Sequence, residues 1–76
     1  MAHQEEIDRI VVTVSDDRLP EIQEVASALQ AAGMTVENIL SVVGIITGSV
    51  PRTARASLRS VAGVVAVESE GEARAI

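Results

Sequence analysis

A chain of 76 residues, 47% of them hydrophobic, contains no Phe, Tyr or Trp. That absence is the tightest constraint on what the chain can fold into. Its core has to be assembled from Val, Ile, Leu, Ala and Met, which bury less area per side chain than aromatic rings. The length allows one domain with a thin core. Stability is expected at the low end of the roughly 5–15 kcal/mol typical of native domains. No cysteine is present, so no disulfide braces the fold and the redox compartment is left open.

Residues 7–14 read as a strand, with Ile10, Val12 and Val14 alternating with Arg9, Val11 and Thr13. Ser15-Asp16-Asp17-Arg18 is a turn cluster. Pro20 suits the first turn of a helix, where its missing N–H costs nothing. Ile22, Val25, Ala26 and Leu29 follow at helical spacing, with Glu21, Glu24 and Gln30 off the stripe. A helix over residues 19–32 is predicted, ended by Gly33 at positive φ. Residues 35–43 and 45–49 read as two strands joined by a bulge or tight turn at Gly44. Val50-Pro51 opens a second helix. In it Ala54, Leu58 and Val61 face inward, while Arg52, Arg55 and Arg59 form a solvated stripe rather than an anion-binding patch. Gly63 ends that helix and residues 64–69 are the fourth strand.

The order strand, helix, strand, strand, helix, strand predicts the α+β, ferredoxin-like βαββαβ arrangement: two helices on one face of a four-stranded antiparallel sheet. The domain is expected over residues 7–70, with an N-terminal tail at 1–6 and a C-terminal tail at 71–76. Two β-α-β halves of similar length give weak internal symmetry and no true repeat.

The residue inventory argues against an enzyme. The single histidine, His3, sits in a polar terminal segment and has no convergent donors beside it, so no metal site is expected. The serines lack a histidine partner, and a Schiff-base mechanism needs a lysine that the chain lacks. Gly44-Ile45-Ile46-Thr47-Gly48 is apolar between its glycines and precedes a strand, so it is no phosphate cradle. No cofactor is expected. A net charge of −5, with all six basic residues Arg, disfavours nucleic acid. The acidic N-terminus has no signal-peptide pattern, and the apolar stretch at residues 39–46 is too short for a bilayer. A free-standing cytoplasmic protein that contacts no membrane is the expectation.

One pattern breaks the half-buried rule for strands. The wet face of a sheet covered on one side should turn polar. Val11 and Thr13 on the first strand, and Val64 and Ala66 on the last, keep it apolar. In this topology those two strands pair, so the four residues form a contiguous patch that suggests a protein partner or a homodimer.

The opening strand Ile10-Val11-Val12-Thr13-Val14, the helix exit Ala32-Gly33-Met34-Thr35-Val36, and above all Leu58-Arg59-Ser60-Val61-Ala62-Gly63-Val64-Val65-Ala66-Val67-Glu68-Ser69-Glu70 carry a resemblance. From about Val11 to Ile76 the chain resembles the subtilisin propeptide and proteinase-inhibitor family. The resemblance implies that the open sheet face packs on two surface helices of a subtilisin-type serine protease. Glu68 and Glu70 would cap the N-termini of those helices, where free N–H groups and a positive dipole end await a carboxylate. Glu72-Ala73-Arg74-Ala75-Ile76 would lie extended in the active-site cleft, with Ile76 in the primary specificity pocket and Ala73 in the pocket three residues earlier. The alternative is a small regulatory or self-associating ferredoxin-like domain without inhibitory action.

Overall fold

A computed structural model describes residues 6–70. The first strand, β1 (Ile7–Val14), buries Ile10, Val12 and Val14 and leaves the residues between them half-covered or exposed, the period of two that a strand requires. The chain then makes a six-residue 3-10 turn over Asp16–Glu21 before α1 (Ile22–Ala31) begins. The sequence predicts one continuous helix from residue 19. Pro20 falls instead inside the 3-10 turn, where the missing N–H is equally harmless. The Ser15 hydroxyl donates to the Asp17 carboxylate and holds it below the usual carboxylate range, fixing the start of this turn. The stripe Ile22, Val25, Ala26 and Leu29 is buried as its spacing demands. Gly33, at φ 114°, ends the helix in a conformation that side chains with a Cβ avoid.

Strand β2 (Thr35–Leu40) is shorter than the predicted 35–43. Residues 41–44 form the turn, where the N–H groups of Val43 and Gly44 both donate to the Leu40 carbonyl. Strand β3 (Ile45–Pro51) is two residues longer than the predicted 45–49. Val50, read from sequence as a helix opener, is a fully buried strand residue. The second helix is correspondingly reduced. A 3-10 turn over Arg52–Ala54 leads into α2 (Arg55–Leu58), a single α-turn that buries Leu58. Strand β4 (Val64–Ser69) completes the sheet.

The sheet is antiparallel throughout, in the order β2-β3-β1-β4. Side chains from both helices enter one core with Ile10, Val12, Val14, Met34, Ile46, Val50 and Val67. No buried side-chain polar atom among the described residues lacks a partner. The β2–β3 contact depends on Gly48, which pairs with Ile10 on one side and Val36 on the other. A Cβ at that position would stand 2.0 Å from the Thr35 carbonyl oxygen. The sheet closes there because the side chain is missing, and the adjacent bulge between Val36 and Asn38 follows the same crowding.

These contacts set the expected sensitivities. Leu29→Ala, at a fully buried position, should cost about 2–5 kcal/mol in urea unfolding, while Ser27→Ala on the exposed side should stay within about 0.5 kcal/mol. Gly48→Ala should detach β2, seen as loss of hydrogen-exchange protection over Thr35–Leu40. Full protection in that variant would show that the close approach is dispensable.

Candidate interaction surface

The face of the sheet opposite the helices is set by register. Ser49, Arg9 and Thr35 lie in one row across the strands; Glu68, Val11, Thr47 and Asn38 form the next; Ala66, Thr13, Ile45 and Leu40 form the third. Polarity is graded along the strands. The Arg9 row is charged, the middle row is mixed, and the third is apolar apart from the Thr13 hydroxyl. Leu40 is exposed at the end of the third row, and the turn beyond it carries exposed Val42 and Val43. Of the predicted patch, Val11, Thr13 and Ala66 are half-buried on this face.

Val64 is a correction. It packs against the helix-side core instead of the open face. The cause is a register shift: Val14 pairs with Val64 and Thr13 with Ala66, so Val65 is an extra residue on β4. Such a bulge inverts the side-chain alternation past it. Val64 is turned to the core, Val65 is pushed out to 63% exposure, and Val67 is buried.

Arg9 ties the open face together. Its guanidinium grips Glu37 with both Nη atoms, at 2.6 and 3.2 Å, and its Nε donates to Glu70 at 2.9 Å. Glu37 lies in the β2 bulge, so the arginine reaches across β3 to it while holding the residue that follows β4. These hydrogen bonds push Arg9 further above its ordinary basicity and hold the Glu37 carboxyl below the usual value. Glu70 is therefore engaged within the chain. Glu68 is exposed on the same face and has no ionic partner among the described residues.

The second helix departs from the solvated stripe expected of it. Arg55 is largely covered; it donates to Ser69 Oγ at 2.8 Å and to Asp8 at 3.4 Å. Arg52 bridges Asp8 and Glu6, and its N–H donates to the Glu6 carbonyl at 2.8 Å. Glu6, placed in the N-terminal tail by sequence, is thereby fastened to the end of β3. Asp8 couples β1 to α2, and Arg55 couples α2 to β4. Arg52 and Arg59 are exposed as expected, and Arg59, alone among the described arginines, has no carboxylate partner. It borders an open groove of about 340 Å³ along β4, lined otherwise by Val64–Glu68.

His3 and the tail residues Ala73, Arg74, Ala75 and Ile76 lie outside the described residues. Among the described residues no three metal-ligating side chains converge, and no helix is long and apolar enough to cross a membrane. Sequence reasoning missed the Arg9–Glu37–Glu70 network. The available signal was a lone arginine at an open-face position amid the Ile and Val of β1, but its partners are 28 and 61 residues away. Comparison with protein-family models, with curated proteins and with solved structures finds no match for this chain.

The network makes a pH prediction. Glu37 has an ordinary pKa of 4.5 that is lowered in the folded chain, chiefly by the hydrogen bond from Arg9. The folded state therefore binds fewer protons than the unfolded state between the two values. The stabilisation is fully present above the ordinary value and is lost as pH falls through the lowered one. Urea midpoints for the parent and for Glu37→Gln, compared from about pH 7 to about pH 3, should converge on acidification. A gap that stays constant with pH would assign the effect of the substitution to something other than this carboxylate.

Proposed function

We propose that the chain is a protein-binding domain of ferredoxin-like βαββαβ design, acting as a propeptide-like inhibitor or chaperone of a subtilisin-type serine protease. The strand order β2-β3-β1-β4, with a helix after β1 and another after β3, supports that design. The observation that carries the functional reading is the open sheet face. It presents a largely apolar row beside an exposed Glu68 that has no ionic partner among the described residues, on the last strand before the C-terminal segment. A face and a segment that leave the domain from one strand can reach one partner together.

In this reading Ala66, Thr13, Ile45 and Leu40 supply apolar contact with two protease surface helices. Glu68 caps one helix N-terminus. Glu70 caps the other by exchanging its Arg9 contact for the partner's N–H groups, which leaves Arg9 still neutralised by Glu37. Residues 72–76 occupy the cleft as an extended strand, with Ala73 and Ile76 in its pockets and Arg74 and Ala75 between them.

The full chain is expected to inhibit a subtilisin-type protease competitively. Removing residues 73–76 should abolish inhibition and leave the far-ultraviolet circular dichroism unchanged. Glu68→Ala and Glu70→Ala should each weaken binding by about 0.3–1 kcal/mol, the range of exposed carboxylate–dipole contacts. Absence of inhibition at roughly 100 micromolar across several such proteases, a concentration that would reveal even weak association, would refute this function. Equal inhibition by the truncated chain would do the same.

A further inference from the structure

Two consecutive residues at the end of β4 are held from opposite sides of the sheet. Strand alternation sends Ser69, which pairs with Ile10, toward the helix layer, and Glu70 toward the open face. On the helix side, Arg55 Nη1 donates to Ser69 Oγ at 2.8 Å and to Asp8 Oδ2 at 3.4 Å. On the open side, Arg9 Nε donates to Glu70 Oε1 at 2.9 Å. Ser69 and Glu70 are the last described residues before the C-terminal segment. Whatever holds them sets the direction in which that segment leaves.

The two holds differ in cover and in anchorage. The Arg55 and Asp8 side chains are 23% and 15% exposed, against 55% and 41% for Arg9 and Glu70. The covered contact is screened less by water and salt. Asp8 is itself fixed twice. Its other oxygen, Oδ1, accepts from Arg52 at 3.3 Å, and its backbone lies in the β1–β3 ladder opposite Val50. Arg55, the first residue of α2, therefore ties Ser69 to β1 on the side of the sheet away from the open face. A partner seated on the open face competes for Glu70 and leaves the Arg55 contact untouched.

We propose that Arg55 is a positioning residue of the proposed inhibitor. Anchored by Asp8, it fixes Ser69, and with it the exit of the C-terminal segment, in the free chain and in the complex alike. Arg9 is by contrast a latch on Glu70 that partner binding opens. The consequence for inhibition rests on the protease reading; the clamp on Ser69 does not. A segment whose exit is fixed meets the cleft at a higher effective concentration than one that leaves in many directions, so the hold on Ser69 should appear in affinity.

Backbone 15N relaxation of the full chain tests the clamp, and inhibition of a subtilisin-type protease tests its consequence. Ser69→Ala removes the acceptor and little else. It should lower the order parameter of the Glu70 amide and leave those of α1 unchanged, a local effect that a general loss of stability would not produce. Arg55→Met should loosen Glu70 to the same degree. Each variant should raise the inhibition constant at least about fivefold, and the two combined should add no more than about twofold, because both delete one interaction. Arg9→Met should stay within about threefold of the parent, since its exposed contact is exchanged on binding. An unchanged Glu70 order parameter in both Ser69→Ala and Arg55→Met would overturn the clamp, with or without an inhibited protease. A parent that inhibits, with Ser69→Ala and Arg55→Met inhibiting equally well, would overturn the positioning role and leave the protease reading standing. So would an Arg9→Met variant as weak as Arg55→Met. A parent that inhibits no such protease removes the protease reading, and the Glu70 order parameter still decides the clamp.

Discussion

The contact between the α1 stripe and the helix-side face of β1 and β3 is the interaction on which the rest of the structure depends. Ile22, Val25, Ala26 and Leu29 meet Ile10, Val12, Val14, Ile46 and Val50 in one aliphatic layer. With no aromatic ring available, the gap between helix and sheet is filled by many branched side chains, so a good fit requires every one of them in its place. The glycine at position 48 belongs to the same constraint. The small residue admits the β2 backbone at close range, bringing Val36 and Ile39 against the core. Remove either condition and the strands lose the surface that fixes their register.

Arginine is the connector at the margins of this core. Arg55, Arg52 and Arg9 each join segments that lie far apart in the chain: α2 to β1 and β4, the start of β1 to the end of β3, and the β2 bulge to the residue after β4. A planar guanidinium with several donors can serve two or three acceptors at once, which an ammonium does with less geometric definition. Individual exposed pairs contribute little to stability. Their consequence is positional, since they hold the strand ends and orient the residue from which the C-terminal segment leaves. Arg59 stands outside this pattern, with no carboxylate partner among the described residues.

The open face and the β4 edge present different groups on one scaffold. The face offers graded polarity over a broad area, suited to side-chain packing against a partner. The edge offers backbone N–H and C=O groups that no strand of the sheet pairs. One short helix links the two properties. Because α2 is a single turn, β4 is less covered than a strand beneath a full helix, and its bulge expels Val65 while turning Val64 inward.

Local periodicity made much of the fold legible in the sequence. The alternation of Ile10, Val12 and Val14, the helical stripe ending at Leu29, and the glycines at 33 and 44 each report on their own neighbourhood, and each element lies where those signals put it. The boundaries that moved did so for tertiary reasons. Val50 continues β3 because it pairs opposite Asp8 and fills the core, which overrides the helix-opening pattern of Val50-Pro51. Residues 41–43 leave β2 because β3 begins at Ile45, opposite Leu40, and offers no partner beyond it. The open-face patch was legible for Val11, Thr13 and Ala66, since strand alternation alone decides their side. Val64 was not, because its orientation follows from a bulge in its pairing with β1. The same is true of the Arg9–Glu37–Glu70 network and of the Arg55 contacts with Asp8 and Ser69. The sequence determined which segments could be helix or strand and which residues were apolar enough to be buried. Only the tertiary structure decided register, bulges and ion-pair partners, because those depend on backbone and charge from residues tens of positions away, which no local pattern encodes.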